Sequence, residues 1–399
     1  MTKRRRIAFV VQRYGRGGAE YLCQSLAEHL AARYDVSVLT TCAIDNLDWA
    51  NHFPPGETIE NGVRVRRFPV TGRRDPNFGE LTERILHGGP RGREDELEWL
   101  SAQGPRSPDL LDFLRSQREK FDVFFFVTYL YEHSVLGMPL VANRAVFLPT
   151  AHDEPEIQLD IFRETFNLPR WMIFMTPAER AFVRKQFRND QIPGRVGSLG
   201  MSPVPRVDAM AFRIRHGIEG DLLLYMGRVE TAKGVDELVE FARAGRSGRA
   251  TTLVLIGQNM MGLSRERGII PLGYVSDQEK HEALAATTVF VMPSAHESLS
   301  LVTLEAWQHG IPVLTTARSQ VVLDHVRASQ GGLYYDGAFD FASALGYLLD
   351  NPELRARMGA NGRQYVEANF DWNRVDKMYD DVIEAVIGQT PTQQSRHDD

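Results

Sequence analysis

Short, unbroken runs of apolar residues alternate with amphipathic stretches along most of the chain. The first run covers residues 7–11, and Leu22, Leu26 and Leu30 then recur every four residues, as on one face of a helix. A second run at residues 36–40 completes a strand–helix–strand unit. Because strands of a parallel sheet are buried on both faces, such runs are typical of doubly wound α/β domains.

The remaining runs form two series that are separated by Pro203 and Pro205. The first series continues with strands at residues 63–68, 123–127, 145–148 and 172–175. The second has strands at 222–225, 253–256, 289–292 and 313–315, and helices at 235–244, 278–286, 301–310, 339–349 and 352–369. We therefore predict two Rossmann-like, doubly wound parallel-sheet domains that face a cleft, at residues 1–203 and 204–372.

Two segments depart from this alternation. Residues 71–107 are rich in Gly, Pro and charge, with short helices at 80–87 and 94–100, and we interpret them as an insertion in the first domain. The insertion is either a surface loop without a role or an acceptor-binding lid, since long loops in compact domains are often functional. Residues 389–399 are polar, and we expect them to be disordered.

Composition narrows the class of protein. The 399 residues carry a formal net charge of -6, which argues against a nucleic-acid partner. Cys23 and Cys42 form no metal-binding spacing, which favours reduced thiols in a cytoplasmic protein. No apolar run is long enough to span a membrane. The basic residues 3–6 are either a solvated overhang or a weak attraction to the anionic inner face of a membrane.

The segment HESLSLVTLEAWQHGIPVL at residues 296–314 carries two carboxylates. Glu297 follows the strand at 289–292, and a helix that begins near Ser300 carries Glu305. The free amide groups of a helix start bind anions and hydroxyl oxygens, and carboxylates accept hydrogen bonds from sugar hydroxyls. The alternative is that both glutamates only complement the helix dipole.

The segment YMGRVETAKGVDEL at residues 225–238 carries two cations. A strand leads into Gly227, and Arg228 and Lys233 precede the next helix. Two cations at the carboxyl end of a strand can bind a diphosphate from both sides. The alternative is that both are solvated loop charges.

Together these segments resemble the retaining glycosyltransferase family 4, which has the GT-B fold. The resemblance joins a Gly-rich first loop at Gly17 and Gly18 to the cation loop and to the two glutamates eight residues apart. It covers most of the chain and is weakest at residues 71–120. Family members commonly have two glycines where this chain has Ser298 and Ser300. Either serine is strained there, if the backbone needs positive φ, or it caps the helix.

The resemblance implies a role for each matching residue. Arg228 and Lys233 would bind the diphosphate of a nucleotide-sugar donor, Glu297 would contact the sugar ring, and Glu305 would hold the ribose hydroxyls. Glu297 is also an arguable nucleophile. His152, after the strand at 145–148, resembles the histidine of the first domain that lies near the reacting carbon, with Asp153 as a weaker candidate. The alternative for His152 is a loop histidine with local hydrogen bonds. The donor-binding set is completed by Gly17, Gly18, Gly227, Ser298, Leu299, Ser300, Leu301 and Val302.

The function expected is a retaining transfer of a hexose-type sugar from a UDP- or GDP-linked donor to a glycan, glycolipid or small molecule. No Asp-x-Asp follows a strand, so we expect no metal and no cofactor. A C-terminal helix at 373–388 would complete the first domain. The alternatives are a nucleotide-sugar 2-epimerase and a non-catalytic binding partner of the same fold. A dehydrogenase is disfavoured because Glu20 occupies the third glycine position of the dinucleotide motif.

Overall fold

The structure, a computed structural model, describes residues 4–15, 17–89, 91–197, 199–245 and 249–388. The chain divides into two compact units. The N-terminal unit comprises the described residues of Met1–Leu199 and Asn373–Asp399, and the C-terminal unit is Gly200–Trp372. The predicted disordered tail, residues 389–399, lies outside the described residues.

The N-terminal unit is built on an eight-stranded sheet. Its neighbours pair in the order β3-β4-β2-β1-β5-β6-β7-β8, and all the pairs are parallel except β3 with β4. The antiparallel edge strand β3 was missed by sequence analysis because its side chains are mostly exposed and its sequence, GETIE, has no apolar run. The strands are β1 (Arg6–Val10), β2 (Asp35–Thr41), β3 (Gly56–Glu60), β4 (Val63–Phe68), β5 (Val123–Val127), β6 (Ala145–Leu148), β7 (Trp171–Phe174) and β8 (Gly194–Val196).

Helices flank this sheet and bury one apolar face each. In α1 the predicted stripe of Leu22, Leu26 and Leu30 is buried, together with Cys23. Cys23 and Cys42 are both free and buried. The helices are α1 (Gly18–Leu30), α2 (Phe78–His87), α3 (Arg93–Gln103), α4 (Pro108–Gln117), α5 (Asp160–Thr165) and α6 (Pro177–Phe187).

The predicted insertion at residues 71–107 is largely helical. Its helices α2 and α3 bury Ile85, Trp99 and Leu100 in the same apolar cluster as Phe126 of β5. The helices predicted at 80–87 and 94–100 are therefore confirmed, whereas the alternative of a surface loop does not hold for them. Gly and Pro interrupt the helical pattern, but the indole of Trp99 supplies enough apolar surface to hold α3 against the core. The acceptor-binding lid stays a prediction.

The C-terminal unit has a six-stranded sheet in the order β11-β10-β9-β12-β13-β14, and every pair is parallel. Of its two central strands, β12 is apolar and buried throughout and β9 is buried from Leu222 onward. The strands are β9 (Asp221–Met226), β10 (Thr251–Ile256), β11 (Ile269–Gly273), β12 (Val289–Met292), β13 (Val313–Thr316) and β14 (Gly332–Tyr335). The helices are α7 (Ala209–His216), α8 (Val235–Arg243), α9 (Asp277–Ala286), α10 (Leu301–Gln308), α11 (Gln320–Ser329), α12 (Ala338–Asp350) and α13 (Pro352–Asn369).

The last helix, α14 (Trp372–Gly388), packs on the N-terminal unit from Asn373 onward. Its apolar stripe is buried, and the ring of Tyr379 lies 5.7 Å from that of Phe125 in β5. Arg33 adds ion pairs to Asp376 and Asp380 on the outer face of the helix. Within the described ranges, no helix combines the length and the apolar character needed to cross a membrane.

Candidate functional site

In the C-terminal unit, the sequence-predicted residues follow two neighbouring strands, β9 and β12. Gly227 comes directly after β9 with φ 150°, a conformation that L side chains rarely adopt. A Cβ at this position would lie 2.7 Å from the Tyr225 hydroxyl. That hydroxyl donates a hydrogen bond of 2.9 Å to the carbonyl oxygen of Arg228. The turn after β9 therefore needs glycine, because only glycine leaves room for the tyrosine that fixes it.

Lys233 and Glu297 come together across this edge. The Nζ of Lys233 donates to Oε1 of Glu297 at 2.9 Å and to the carbonyl oxygen of His296 at 3.0 Å. Both side chains are about four-fifths buried, at 23% and 16% exposure. The pair joins the loop after β9 to the loop after β12, so the residues predicted to bind the diphosphate and the sugar ring are in contact.

Arg228 lies at the same edge and is more exposed. Its guanidinium is 3.2 Å from the carboxylate of Glu230, and about half of its side chain is accessible. Burial raises the pKa of Tyr225, and the nearby carboxylates of Glu297 and Glu230 raise it further. At this edge, Arg228 and Lys233 each pair with a carboxylate.

The start of α10 follows the Glu297 loop. Ser300 is the N-cap residue and adopts the left-handed conformation, with φ 60° and ψ 63°. Its hydroxyl lies 2.9 Å from that of Thr303 and makes no capping hydrogen bond to the helix backbone. Of the two alternatives for this serine, the strained backbone is therefore the one observed, since Ser300 has positive φ and its side chain does not cap the helix. The other residues of this turn are Ser298, Leu299, Leu301 and Val302.

Glu305 lies on α10 and is 9% exposed. Its Oε1 accepts a hydrogen bond of 2.7 Å from Nζ of Lys280, a residue of α9. Sequence analysis missed Lys280, because a lysine in an amphipathic helix reads as a solvated charge. A second contact joins the same two helices, where Nδ1 of His281 lies 2.9 Å from Nε2 of His309.

The Gly-rich loop lies in the N-terminal unit, between β1 and α1. Gly17 has φ 133°, and a Cβ there would collide with the carboxylate of Glu20. Glu20 is buried; it forms an ion pair of 2.7 Å with Arg13 and accepts a hydrogen bond of 2.8 Å from Gln12. Burial raises the pKa of Glu20. Gly18 is the first residue of α1. Glu20, which occupies the third glycine position of a dinucleotide motif, is thus held in place by contacts with Arg13 and Gln12.

His152 also lies in the N-terminal unit, after β6. Its Nε2 is 3.1 Å from Oε2 of Glu154, which also accepts a hydrogen bond from the Tyr129 hydroxyl. The side chain of Glu179 contacts this loop and accepts a hydrogen bond of 2.6 Å from the amide of Ala151. Burial raises the pKa of Glu179 to about 8. The neighbouring Asp153 is exposed.

The predicted site residues therefore fall into two sets. Arg228, Lys233, Glu297 and Glu305 belong to the C-terminal unit, whereas Gly17, Gly18 and His152 belong to the N-terminal unit. Among the residues that the structure describes, no three His, Cys, Asp or Glu side chains form a group that could hold a metal ion.

Residues 209–365 match the family model described as Glycosyl transferases group 1. The chain is 24% identical over 380 residues to the glycogen synthase of Mycobacterium tuberculosis, covering 86% of this chain and 85% of the relative. It is 31% identical over 170 residues to the lipopolysaccharide core biosynthesis glycosyltransferase LpsE of Rhizobium meliloti, covering 40% of this chain and 49% of the relative.

The fold is shared with a solved structure. Anabaena HepE in complex with UDP and glucose superposes with a TM-score of 0.72, at 17% identity, over 96% of this chain and 100% of that chain. At an identity this low, the likeness shows the fold alone. The residues of the site therefore have to be judged on their own geometry.

Proposed function

We propose that the chain is a group 1 glycosyltransferase with the GT-B fold, and that it transfers a hexose-type sugar from a UDP- or GDP-linked donor to a carbohydrate or glycolipid acceptor. The observation that carries the proposal is the contact of Lys233 with Glu297 at the carboxyl edge of β9 and β12. Ligands of doubly wound sheets bind at this edge. The similar proteins named above make polysaccharide or lipopolysaccharide, and HepE binds UDP and glucose.

In this proposal Arg228 and Lys233 bind the donor diphosphate. Gly227 has no side chain and so lets the backbone approach the diphosphate closely. Glu297 contacts the sugar ring and Glu305 the ribose hydroxyls. The amides at the start of α10 contribute hydrogen bonds to sugar and phosphate, since the first amides of a helix have no partners within the helix. Gly17 and Gly18 would supply a close backbone approach from the N-terminal unit.

The chemistry proposed for this site is a transfer with retention. The bond between the anomeric carbon and the phosphate oxygen breaks, and the acceptor hydroxyl oxygen forms a new bond to that carbon on the same face. The acceptor proton passes to the departing diphosphate. Negative charge grows on the diphosphate as the bond breaks, and Arg228 and Lys233 stabilise it in the transition state. Two cations at this place make a metal ion unnecessary, and His152 would lie beside the reacting carbon.

The test is a transfer assay with UDP- and GDP-linked hexoses and a panel of oligosaccharide and glycolipid acceptors. We expect nucleoside diphosphate release that depends on an acceptor, is unchanged by EDTA, and gives a product whose anomeric proton shows the donor's configuration by NMR. Lys233→Ala should lower kcat by roughly 100-fold or more, as for the removal of one preorganised charge-stabilising donor. Lys185→Ala, an exposed lysine of α6, is the matched control.

Other outcomes would separate the alternatives. Release of nucleoside diphosphate without any acceptor would favour the 2-epimerase class. Nucleotide binding without turnover on any acceptor would favour a binding partner. Loss of activity in EDTA would contradict the metal-independent mechanism, and an inverted product would contradict retention.

A further inference from the structure

Lys280 contacts a predicted donor residue, Glu305, and is not part of the family resemblance. It lies on α9, which corresponds to the helix predicted at residues 278–286. Its ammonium group reaches Oε1 of Glu305 at 2.7 Å and lies farther, at 3.7 Å, from the carboxylate of Asp277. The side chains of Lys280 and Glu305 are 22% and 12% exposed, so this pair is screened by water less than a surface pair.

The contact fixes one oxygen of a carboxylate that has two. A carboxylate of this kind has four lone-pair sites, so a ribose hydroxyl can donate to the oxygen that Lys280 leaves open. A glutamate side chain that is held at one oxygen has lost most of its rotamer freedom before the ligand arrives. The entropic cost of ordering it on binding is therefore already met in the free protein.

Lys280 is the positively charged side chain of α9 that contacts Glu305, since its neighbour His281 makes a different contact and is neutral. His281 follows it on the same helix and contacts His309 after α10, at 2.9 Å. Burial, followed by the charge of Lys280, lowers the pKa of His281, and burial lowers the pKa of His309 to about 4. Both imidazoles are therefore neutral at pH 7.

We propose that Lys280 is a positioning residue that orients Glu305 toward the ribose and makes the donor site selective for ribonucleotides over 2′-deoxyribonucleotides. The proposal rests on the proposed function, since it assigns Glu305 to the ribose. It adds a specificity-determining contact from α9, outside the two loops that carry the other donor residues. Lys280 acts through Glu305, so its effect should vanish when the Glu305 carboxylate is absent.

The experiment measures, by isothermal titration calorimetry, the dissociation constants of UDP, 2′-deoxy-UDP, GDP and 2′-deoxy-GDP. The variants are Lys280→Met, Lys280→Arg, Glu305→Gln and the double variant Lys280→Met/Glu305→Gln, with Lys185→Met as control. For the base that binds, the wild type should prefer the ribonucleotide by roughly tenfold, the value of one charge-assisted hydrogen bond. Lys280→Met should reduce this preference to within about twofold, with Lys280→Arg intermediate and Lys185→Met unchanged.

The double variant tests the route of the effect. If Lys280 acts through Glu305, Lys280→Met should not change the ribose preference further in the Glu305→Gln background. A wild-type preference that persists in Lys280→Met overturns the inference, as does tighter ribonucleotide binding in that variant. Binding without any ribose preference in the wild type overturns it too. If the folded wild type binds no nucleoside diphosphate at all, the proposed function itself fails. Thermal unfolding of each variant establishes that it is folded.

Discussion

Gly17 and Gly15 occupy the same unusual region of backbone space, with φ 133° and 137°, on either side of the loop between β1 and α1. Their surroundings differ. A Cβ on Gly15 would meet no atom within 4 Å, whereas a Cβ on Gly17 would collide with the carboxylate that Arg13 and Gln12 hold. A comparison of alanine substitutions at the two positions therefore distinguishes the cost of backbone strain from the cost of a steric clash.

We expect Gly15→Ala to lower the free energy of unfolding by about 1–3 kcal/mol, the cost of a side chain in a region that glycine alone populates. Gly17→Ala should cost more, because it also displaces Glu20 from its buried hydrogen bonds. Urea denaturation of both variants measures the difference. Equal losses would show that Glu20 moves aside freely and that the loop tolerates a side chain.

His325 gives a residue-scale prediction for pH. It lies on α11, its Nδ1 is 2.9 Å from the Tyr365 hydroxyl of α13, and burial lowers its pKa from 6.5 to about 4. The folded state therefore favours the neutral ring. The stability contributed by this group is fully present above pH 6.5 and is lost as the pH falls toward 4, because the unfolded chain takes up the proton first.

Between pH 7 and pH 5, the wild type should lose roughly 2 kcal/mol of stability relative to His325→Gln, which cannot be protonated. The measurement is the free energy of unfolding of both proteins at pH 5, 6 and 7. Other titrating groups cancel in the difference between the two proteins. A difference that stays constant with pH would mean that His325 has the same pKa in the folded and unfolded states.

At the scale of elements, the start of α10 contains a serine in a left-handed conformation. This strain costs an L residue about 1–2 kcal/mol, and glycine avoids it. Ser300→Gly and Ser300→Ala both remove the hydroxyl that contacts Thr303, so this loss cancels between them. We expect Ser300→Gly to be more stable than Ser300→Ala by about 1 kcal/mol in thermal or chemical unfolding. A more stable alanine variant would show that the turn relaxes to a right-handed start.

Elements with strong apolar patterns could be predicted from the sequence, and those without could not. The strands β5, β6 and β12 have the predicted bounds, because each is an unbroken apolar run that is buried throughout. The strand β4 also has the predicted bounds, although its sequence, VRVRRF, alternates apolar and basic residues. The strands β3, β8, β11 and β14 were missed, since each is short or contains polar, Gly or Pro residues that interrupt the apolar run. In residues 71–107 the two predicted helices are present as α2 and α3, but the burial of Trp99 in the core of the N-terminal unit could not be read from the local Gly and Pro content.

The candidate site shows the same division. The position of Arg228 and Glu297 directly after β9 and β12 could be predicted from the apolar runs that precede them, whereas their binding of a ligand stays a prediction. The contact between Lys280 and Glu305 could not, since it joins two helices across 25 positions of sequence. A contact between residues this far apart in the sequence depends on how α9 and α10 pack. The spacing of residues along the sequence does not reveal that packing.

At the scale of the whole molecule, the chain leaves the N-terminal unit at Leu199, forms the C-terminal unit, and returns at Asn373. Arg228, Lys233, Glu297 and Glu305 all belong to the C-terminal unit. A ligand that binds only the folded state at 100 times its dissociation constant stabilises its site by about 2.7 kcal/mol. This stabilisation should first appear in the unit that holds most of the binding residues.

We therefore predict that saturating UDP or GDP, whichever binds, slows hydrogen exchange most in peptides covering residues 225–238 and 296–308. Peptides from β2 and β4 of the N-terminal unit should change little, because they contain none of the proposed donor residues. Mass spectrometry of the intact chain, digested after exchange, reads both units in one sample. Glu305→Gln at the same nucleotide concentration should reduce the protection, and adenosine should produce none. Protection spread evenly over both units, or confined to the N-terminal unit, would contradict a donor site built on β9 and β12.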